Sequence, residues 1–267
     1  MHLALLHQGR PALLRVEGPA GAPVALFFHP FPLHADVWDE MLAACAASGL
    51  CAAALDAPGF GGTPPRGQPL TMESIAELGA GALDTLGARR ASIVGCSMGG
   101  YAAMAFARKF PERMTAIALI NTRAGADSEQ ARQNRERQAT LAMERGPEPV
   151  LAEILPKLLS PEPPAGVRRH VEELAARATG QGLADALRGM ALRPDSTPDL
   201  AGWKVPTLVI AGAEDQMIAP AESEKLAQGI RGARLEIIPG AGHLAFLEKP
   251  RAVAPLLTAH LQVRLRD

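Results

Sequence analysis

Apolar residues along this chain fall into short runs spaced by amphipathic stretches. Val24-Ala25-Leu26-Phe27-Phe28, Leu50 to Leu55, Ser92 to Val94, Met114 to Ile120 and Val205 to Ala211 are mostly apolar throughout. Such runs fit strands covered on both faces of a sheet. Between them lie segments with helical spacing. Asp36 to Ser48 ends near Gly49, and Thr71–Leu86 has Thr71 as its cap and Ile75, Leu78, Leu83 and Leu86 on one side. Ala221–Ile230 and a terminal helix from Pro250 to about Arg264 are read the same way, with a strand at Arg234–Ile238. At the N-terminus, His2–Leu6 and Ala12–Glu17 can pair as a hairpin around Gly9-Arg10-Pro11. Strands alternating with helices imply right-handed crossovers and a mostly parallel sheet flanked by helices.

The alternation breaks after Arg123. From Asp127 to Asp199 no strand-like run occurs. Ser128–Arg145 reads as a charged helix, Pro147–Leu159 as a more apolar one, and Val167–Thr179 and Leu183–Leu192 complete the stretch. This predicts a core built from residues 1–123 and 200–267, with residues 124–199 forming a helical cap over the strand ends. The charges of the cap read mainly as a solvated face.

Composition narrows the partners. The chain has 267 residues, 48% of them apolar, enough for one large core. A net charge of −1 offers no field for nucleic acid or anionic lipid. Met1 to Leu14 is read as neither a signal peptide nor a membrane span, because His7, Gln8 and Arg10 break its apolar run. Cys45, Cys51 and Cys96 are odd in number and lack metal-ligand spacing, which suits reduced core residues of a cytoplasmic protein. No metal or organic cofactor is implied.

The densest chemistry lies in Gly95-Cys96-Ser97-Met98-Gly99. A random order of these 26 glycines and eight serines would give about 0.08 matches to Gly-x-Ser-x-Gly, so the motif gains weight from its setting. A strand precedes it and an Ala-rich helix reaching Phe110 follows. A serine on such a turn has an exposed hydroxyl, a strained backbone and a helix N-terminus behind it.

Other candidates also follow strands. His29 to Leu33 leaves the first buried strand, Asp56 the second, Arg123 the run ending at Ile120, Asp215 the run ending at Ala211, and His243 the last strand. In parallel sheets ligands bind beyond the carboxyl ends of the strands. Ser97 as nucleophile needs a base, which His243 can provide near neutral pH, and Asp215 can orient that imidazole. Glu214 and Asp199 are rival acids, and the remaining histidines are rival bases. Only His243 joins a strand exit and a flanking glycine to a position after the acid. An oxyanion needs two backbone donors. Met98 is one, and Phe31, the sole N–H within Pro30-Phe31-Pro32, is the other.

With these residues in hand, the chain resembles the α/β-hydrolase fold over nearly its whole length. The likeness rests on His29-Pro30-Phe31-Pro32 with Trp38, Asp56 through Gly62, Gly95 through Gly100, Gly212 through Asp215, and Gly240 through His243 with Glu248-Lys249-Pro250. Asn121 through Asp127 resembles the branch holding 3-oxoadipate enol-lactonases, cofactor-free haloperoxidases and small carboxylesterases. That branch usually has His-Gly-Phe-Pro, and here Pro30 replaces the glycine. The resemblance implies a helical lid after the sixth strand, a Ser97-His243-Asp215 triad, and a small ester or lactone as substrate. The leading expectation is a carboxylesterase working through an acyl-serine. A lactonase is the alternative, with Arg123 clamping a substrate carboxylate. A slow-turnover ligand receptor on the same scaffold is the alternative of another class. Trp38 and His29 are expected beside Arg123 in substrate binding.

Overall fold

The computed structural model describes residues 1–7 and 9–262. Its strands are β1 (His2–His7), β2 (Arg10–Glu17), β3 (Val24–Phe28), β4 (Cys51–Leu55), β5 (Ala91–Cys96), β6 (Met114–Ile120), β7 (Thr207–Gly212) and β8 (Arg234–Ile238). They form one sheet in the order β1-β2-β4-β3-β5-β6-β7-β8. β1 and β2 pair antiparallel, β2 meets β4 antiparallel, and every later pairing is parallel. All residues of β3, β4, β5 and β7 are buried, which explains their unbroken apolar character.

The helices of the core are α1 (Asp39–Ala47), α2 (Met72–Thr85) and α3 (Met98–Lys109). α1 follows a 3₁₀ turn at Ala35–Trp38. Thr71 caps α2 by accepting from Ser74 N. Between β6 and β7 lie α4 (Glu129–Arg145), α5 (Glu148–Ile154), a 3₁₀ turn at Leu155–Lys157, α6 (Val167–Ala175), α7 (Gly180–Ala191) and a 3₁₀ turn at Thr197–Gly202, with no strand among the described residues. α8 (Pro220–Gly229), α9 (Ala245–Glu248) and α10 (Pro250–Leu261) complete the chain. α2 packs with α3, and α1 with α10.

The apolar helix expected over Pro147–Leu159 is interrupted, because Pro156 cannot donate to the preceding turn and the chain tightens to 3₁₀ there. β7 starts at Thr207 rather than Val205, since Pro206 lacks the N–H for a ladder. The helix expected from Leu183 begins at Gly180, where Thr179 caps it by accepting from Gly182 N. Gly180 and Gly182 look like helix breakers, but Gly182 serves packing. A Cβ there would overlap the Gly59 carbonyl oxygen. Leu70 N donates to Asp185 O at 2.8 Å, and Gly67 N to Asp185 Oδ2 at 2.9 Å, so α7 is joined to the loop after β4 along its length. The end expected for the last helix, near Arg264, lies outside the described residues.

The three cysteines are buried and unpaired. Among the described residues no helix is long and apolar enough to cross a membrane, and no three His, Cys, Asp or Glu side chains gather as a metal-binding group.

Candidate active site

Ser97 stands between β5 and α3 at φ 53° and ψ −116°, a conformation costly for a non-glycine residue. Its neighbours make the turn possible. A Cβ at Gly95 would overlap the Gly99 carbonyl, and a Cβ at Gly99 would overlap the Phe28 carbonyl of the adjacent strand. Ser97 N donates to Ile120 O at 3.0 Å, and Thr122 Oγ1 donates to Ser97 O at 3.0 Å, pinning the turn to the end of β6.

The loop after β7 carries Asp215, and the loop after β8 carries His243. Both are buried, and Asp215 Oδ2 is 2.8 Å from His243 Nδ1. Asp215 Oδ1 accepts from Met217 N at 2.7 Å and Ile218 N at 3.0 Å. Burial by itself would raise this carboxyl. The charge and hydrogen bond of His243, the Ile218 amide and the Asn121 amide outweigh it and hold the pKa below its usual value. His243 Nε2 is buried and has no hydrogen-bond partner among the described residues. The residue beside the serine reaches this loop directly, with Cys96 Sγ 3.8 Å from His243 O.

Asn121 was not singled out by sequence, and it belongs to this cluster. It sits at the end of β6 at φ 45°, is buried, and donates from Nδ2 to Asp215 Oδ2 at 2.7 Å. A polar residue at a strand exit normally reads as a turn former. The signal available in sequence was its place one strand over from Ser97, on the same edge.

The strand-exit loop of β3 is organised by His29. Its Nδ1 is 3.1 Å from Pro30 O, and its Nε2 accepts from Ala57 N at 3.1 Å. Ala57 N–H is a donor only, so Nδ1 carries the proton of a neutral ring. Burial brings the His29 pKa down to about 4, in keeping with that form. Both ring nitrogens are occupied by backbone, so His29 holds two loops together. Asp56 does similar work, accepting from Ala35 N and Gly62 N at 2.8 Å each. Trp38 is fully buried, stacked on Phe246 at 4.0 Å between centroids and tilted against Phe27 at 5.3 Å. The Phe31 and Met98 amides have no acceptor among the described residues.

A family model described as alpha/beta hydrolase fold matches residues 23–250. The chain belongs to this family. A thermophilic esterase from Thermogutta terrifontis, solved with malate bound, is 31% identical and superposes with a TM-score of 0.91 over 97% of each chain. The enol-lactonase of Burkholderia xenovorans LB400 is 26% identical with a TM-score of 0.87, over 98% of this chain and all of that one. Among curated proteins, 3-oxoadipate enol-lactonase 2 of Acinetobacter baylyi is 27% identical over 88% of this chain and 87% of its own. The hydrolase fold thus comes with relatives named as esterases and as lactonases.

Arg123, two residues beyond Asn121, donates to Asp127 at 2.7 Å. The Asp127 side chain is wholly buried and also pairs with Arg135 and Arg193. Arg193 lies over the Tyr101 ring, 4.0 Å from its centroid. Burial would raise the Asp127 pKa, but the Arg135 and Arg193 guanidinium groups bring it down to about 2. Three cations in direct contact with one carboxylate leave local positive charge beside the end of β6.

Proposed function

We propose that this hydrolase cleaves carboxylic esters through an acyl-Ser97 intermediate. His243 Nε2 takes the Ser97 proton as Oγ attacks the carbonyl carbon, and later gives it to the leaving alcohol. Asp215 keeps the proton of the neutral ring on Nδ1 and stabilises the imidazolium. The amides of Phe31 and Met98 receive the oxyanion, each worth about 3 kcal/mol of barrier. Water, activated by the same imidazole, then releases the acid. In this reading residues 1–123 and 200–267 form the catalytic core, and residues 124–199 form a cap that shapes the pocket.

The observation that carries the reading is the state of His243. Its Nδ1 is bonded to Asp215, while its Nε2 is buried without a partner among the described residues, in a loop that contacts the residue next to Ser97. A buried acceptor nitrogen left open beyond the strand ends fits a base that takes the Ser97 proton when substrate is bound. The test is hydrolysis of p-nitrophenyl acetate by the wild type and Ser97→Ala. Loss of about 10⁴-fold or more in kcat is expected, with loss of covalent labelling by an activated phosphonate. Full activity in the variant removes Ser97 from the reaction.

A second reading is favoured by Arg123. Its carboxylate partner among the described residues is shared with two other arginines, so a lactone or ester bearing a carboxylate would meet unbalanced positive charge. A panel of neutral esters beside 3-oxoadipate enol-lactone separates the two. Lactone turnover whose KM rises in Arg123→Ala supports the lactonase; hydrolysis of neutral esters alone excludes it.

A further inference from the structure

Outside the triad, the buried carboxylate nearest in sequence to His243 has no role in the chemistry above. Glu248, the last residue of α9, is buried. Its Oε1 accepts from Gly242 N at 2.7 Å. Its Oε2 accepts from Ser160 N at 3.0 Å and from Ser160 Oγ. Gly242 immediately precedes His243. Ser160 closes the segment that follows the 3₁₀ turn at Leu155–Lys157, between β6 and β7 in the chain.

The same segment grips the loop on the other side of the imidazole. Leu244 N donates to Leu158 O at 3.1 Å, and Gln216 Nε2, next to Asp215, is 3.4 Å from Leu159 O. His243 is therefore bracketed. The residue before it is bonded to Glu248, and the residue after it is bonded to Leu158. The approach is so close that a Cβ on Gly242 would overlap Ser160 N. Three donors converging on a buried carboxylate form charge-assisted bonds, which are stronger and more directional than neutral ones.

We propose that Glu248 is a positioning residue for His243, clamping Leu158–Ser160 to the loop that carries the imidazole. The proposal rests on the hydrolase reading above for its effect on rate. Its effect on geometry is independent of that reading. Backbone bonds on both flanks fix where the ring emerges, and the Asp215 bond then fixes its rotation. A shift of about 1 Å at such a group costs on the order of 100-fold in rate.

The test uses Glu248→Gln and Ser160→Ala in the full chain. Glutamine keeps the shape but turns one acceptor into a donor, so one N–H faces either Gly242 N or Ser160. Two readouts are taken: kcat and KM for p-nitrophenyl acetate, and the low-field proton resonance of the His243 Nδ1–Asp215 hydrogen bond. For Glu248→Gln the expected result is a kcat lower by about 10- to 100-fold, KM within about twofold, and a resonance broadened by solvent exchange. Ser160→Ala should move both readouts the same way by a few fold, since the Gly242 contact survives. A wild type that neither hydrolyses the ester nor takes up the phosphonate sinks the hydrolase reading, while the resonance still judges Glu248. A folded Glu248→Gln with unchanged kcat and resonance, or with a loss confined to KM, overturns the proposal. If Glu248→Gln does not fold, unchanged kcat and resonance in Ser160→Ala overturn it.

Discussion

His243 Nδ1 lies 2.8 Å from Asp215 Oδ2, with each side chain only 1% exposed. At that burial the bond sets which nitrogen holds the proton of the neutral ring, because the carboxylate can only accept. In Asp215→Asn the amide can donate instead, and the ring can settle in the other tautomer with Nε2 protonated. A kcat lower by about 10⁴-fold is expected, with the fold retained by circular dichroism. Activity within tenfold of wild type would show that Asp215 does not orient the base.

Asn121 shares that same carboxylate oxygen. Asn121→Gly removes the side chain while suiting the left-handed backbone at φ 45°. Loss of one hydrogen bond to a buried charge is worth about 1.5–3 kcal/mol. We expect kcat to fall by at least about tenfold, with KM within about twofold. An unchanged kcat would reduce Asn121 to a turn residue.

Among the described residues, Asp127 is the acid that Arg123, Arg135 and Arg193 share. Asp127→Ala strands these guanidinium groups around an empty centre. Removing one partner from a buried ion cluster costs about 3–5 kcal/mol, so a clear drop in denaturation midpoint should follow. Asp127→Asn should lose less, because an amide oxygen still accepts. Equal midpoints for all three proteins would mean that water replaces the carboxylate freely.

Burial lowers the His29 pKa from 6.5 to about 4. Between those values the unfolded chain binds more protons than the folded one, so stability rises with pH. The contribution is complete above about pH 6.5 and is lost as pH falls toward 4, by about 3 kcal/mol. Melting curves of the wild type and His29→Gln across this range should converge as the pH drops. Parallel curves would place the acid sensitivity elsewhere.

Much of the architecture was legible because it is written in local pattern. Runs such as Val24 to Phe28 are apolar throughout since both faces of the sheet are covered, and Thr71 announces α2 by the chemistry of its hydroxyl. The elbow at Ser97 is readable for the same reason, since its two glycines sit where strand and helix backbones meet. The remaining features depend on contacts remote in sequence. Asn121 meets a carboxylate 94 residues away, and only the register of β6 beside β7 brings them together. Trp38 stacks on Phe246, a residue of α9 over 200 positions later in the chain, a contact that only the fold displays. His29 is legible in sequence as a strand-exit histidine, but its partner, the Ala57 amide 28 residues on, is set by the fold.

The contact between Gly59 and Gly182 has an outcome for how this protein can be remodelled. Two main chains that touch without an intervening side chain form a seam, and α7 travels only when the loop after β4 travels with it. A single methyl group at position 182 would pry that seam apart. Residues 161–166, just before α6, are by contrast mostly exposed, whereas Leu158–Ser160 ahead of them are held against the His243 loop. Sequence variation between β6 and β7 therefore belongs in residues 161–166 and the exposed face of α6, while α7 and Leu158–Ser160 are best left as fixed walls.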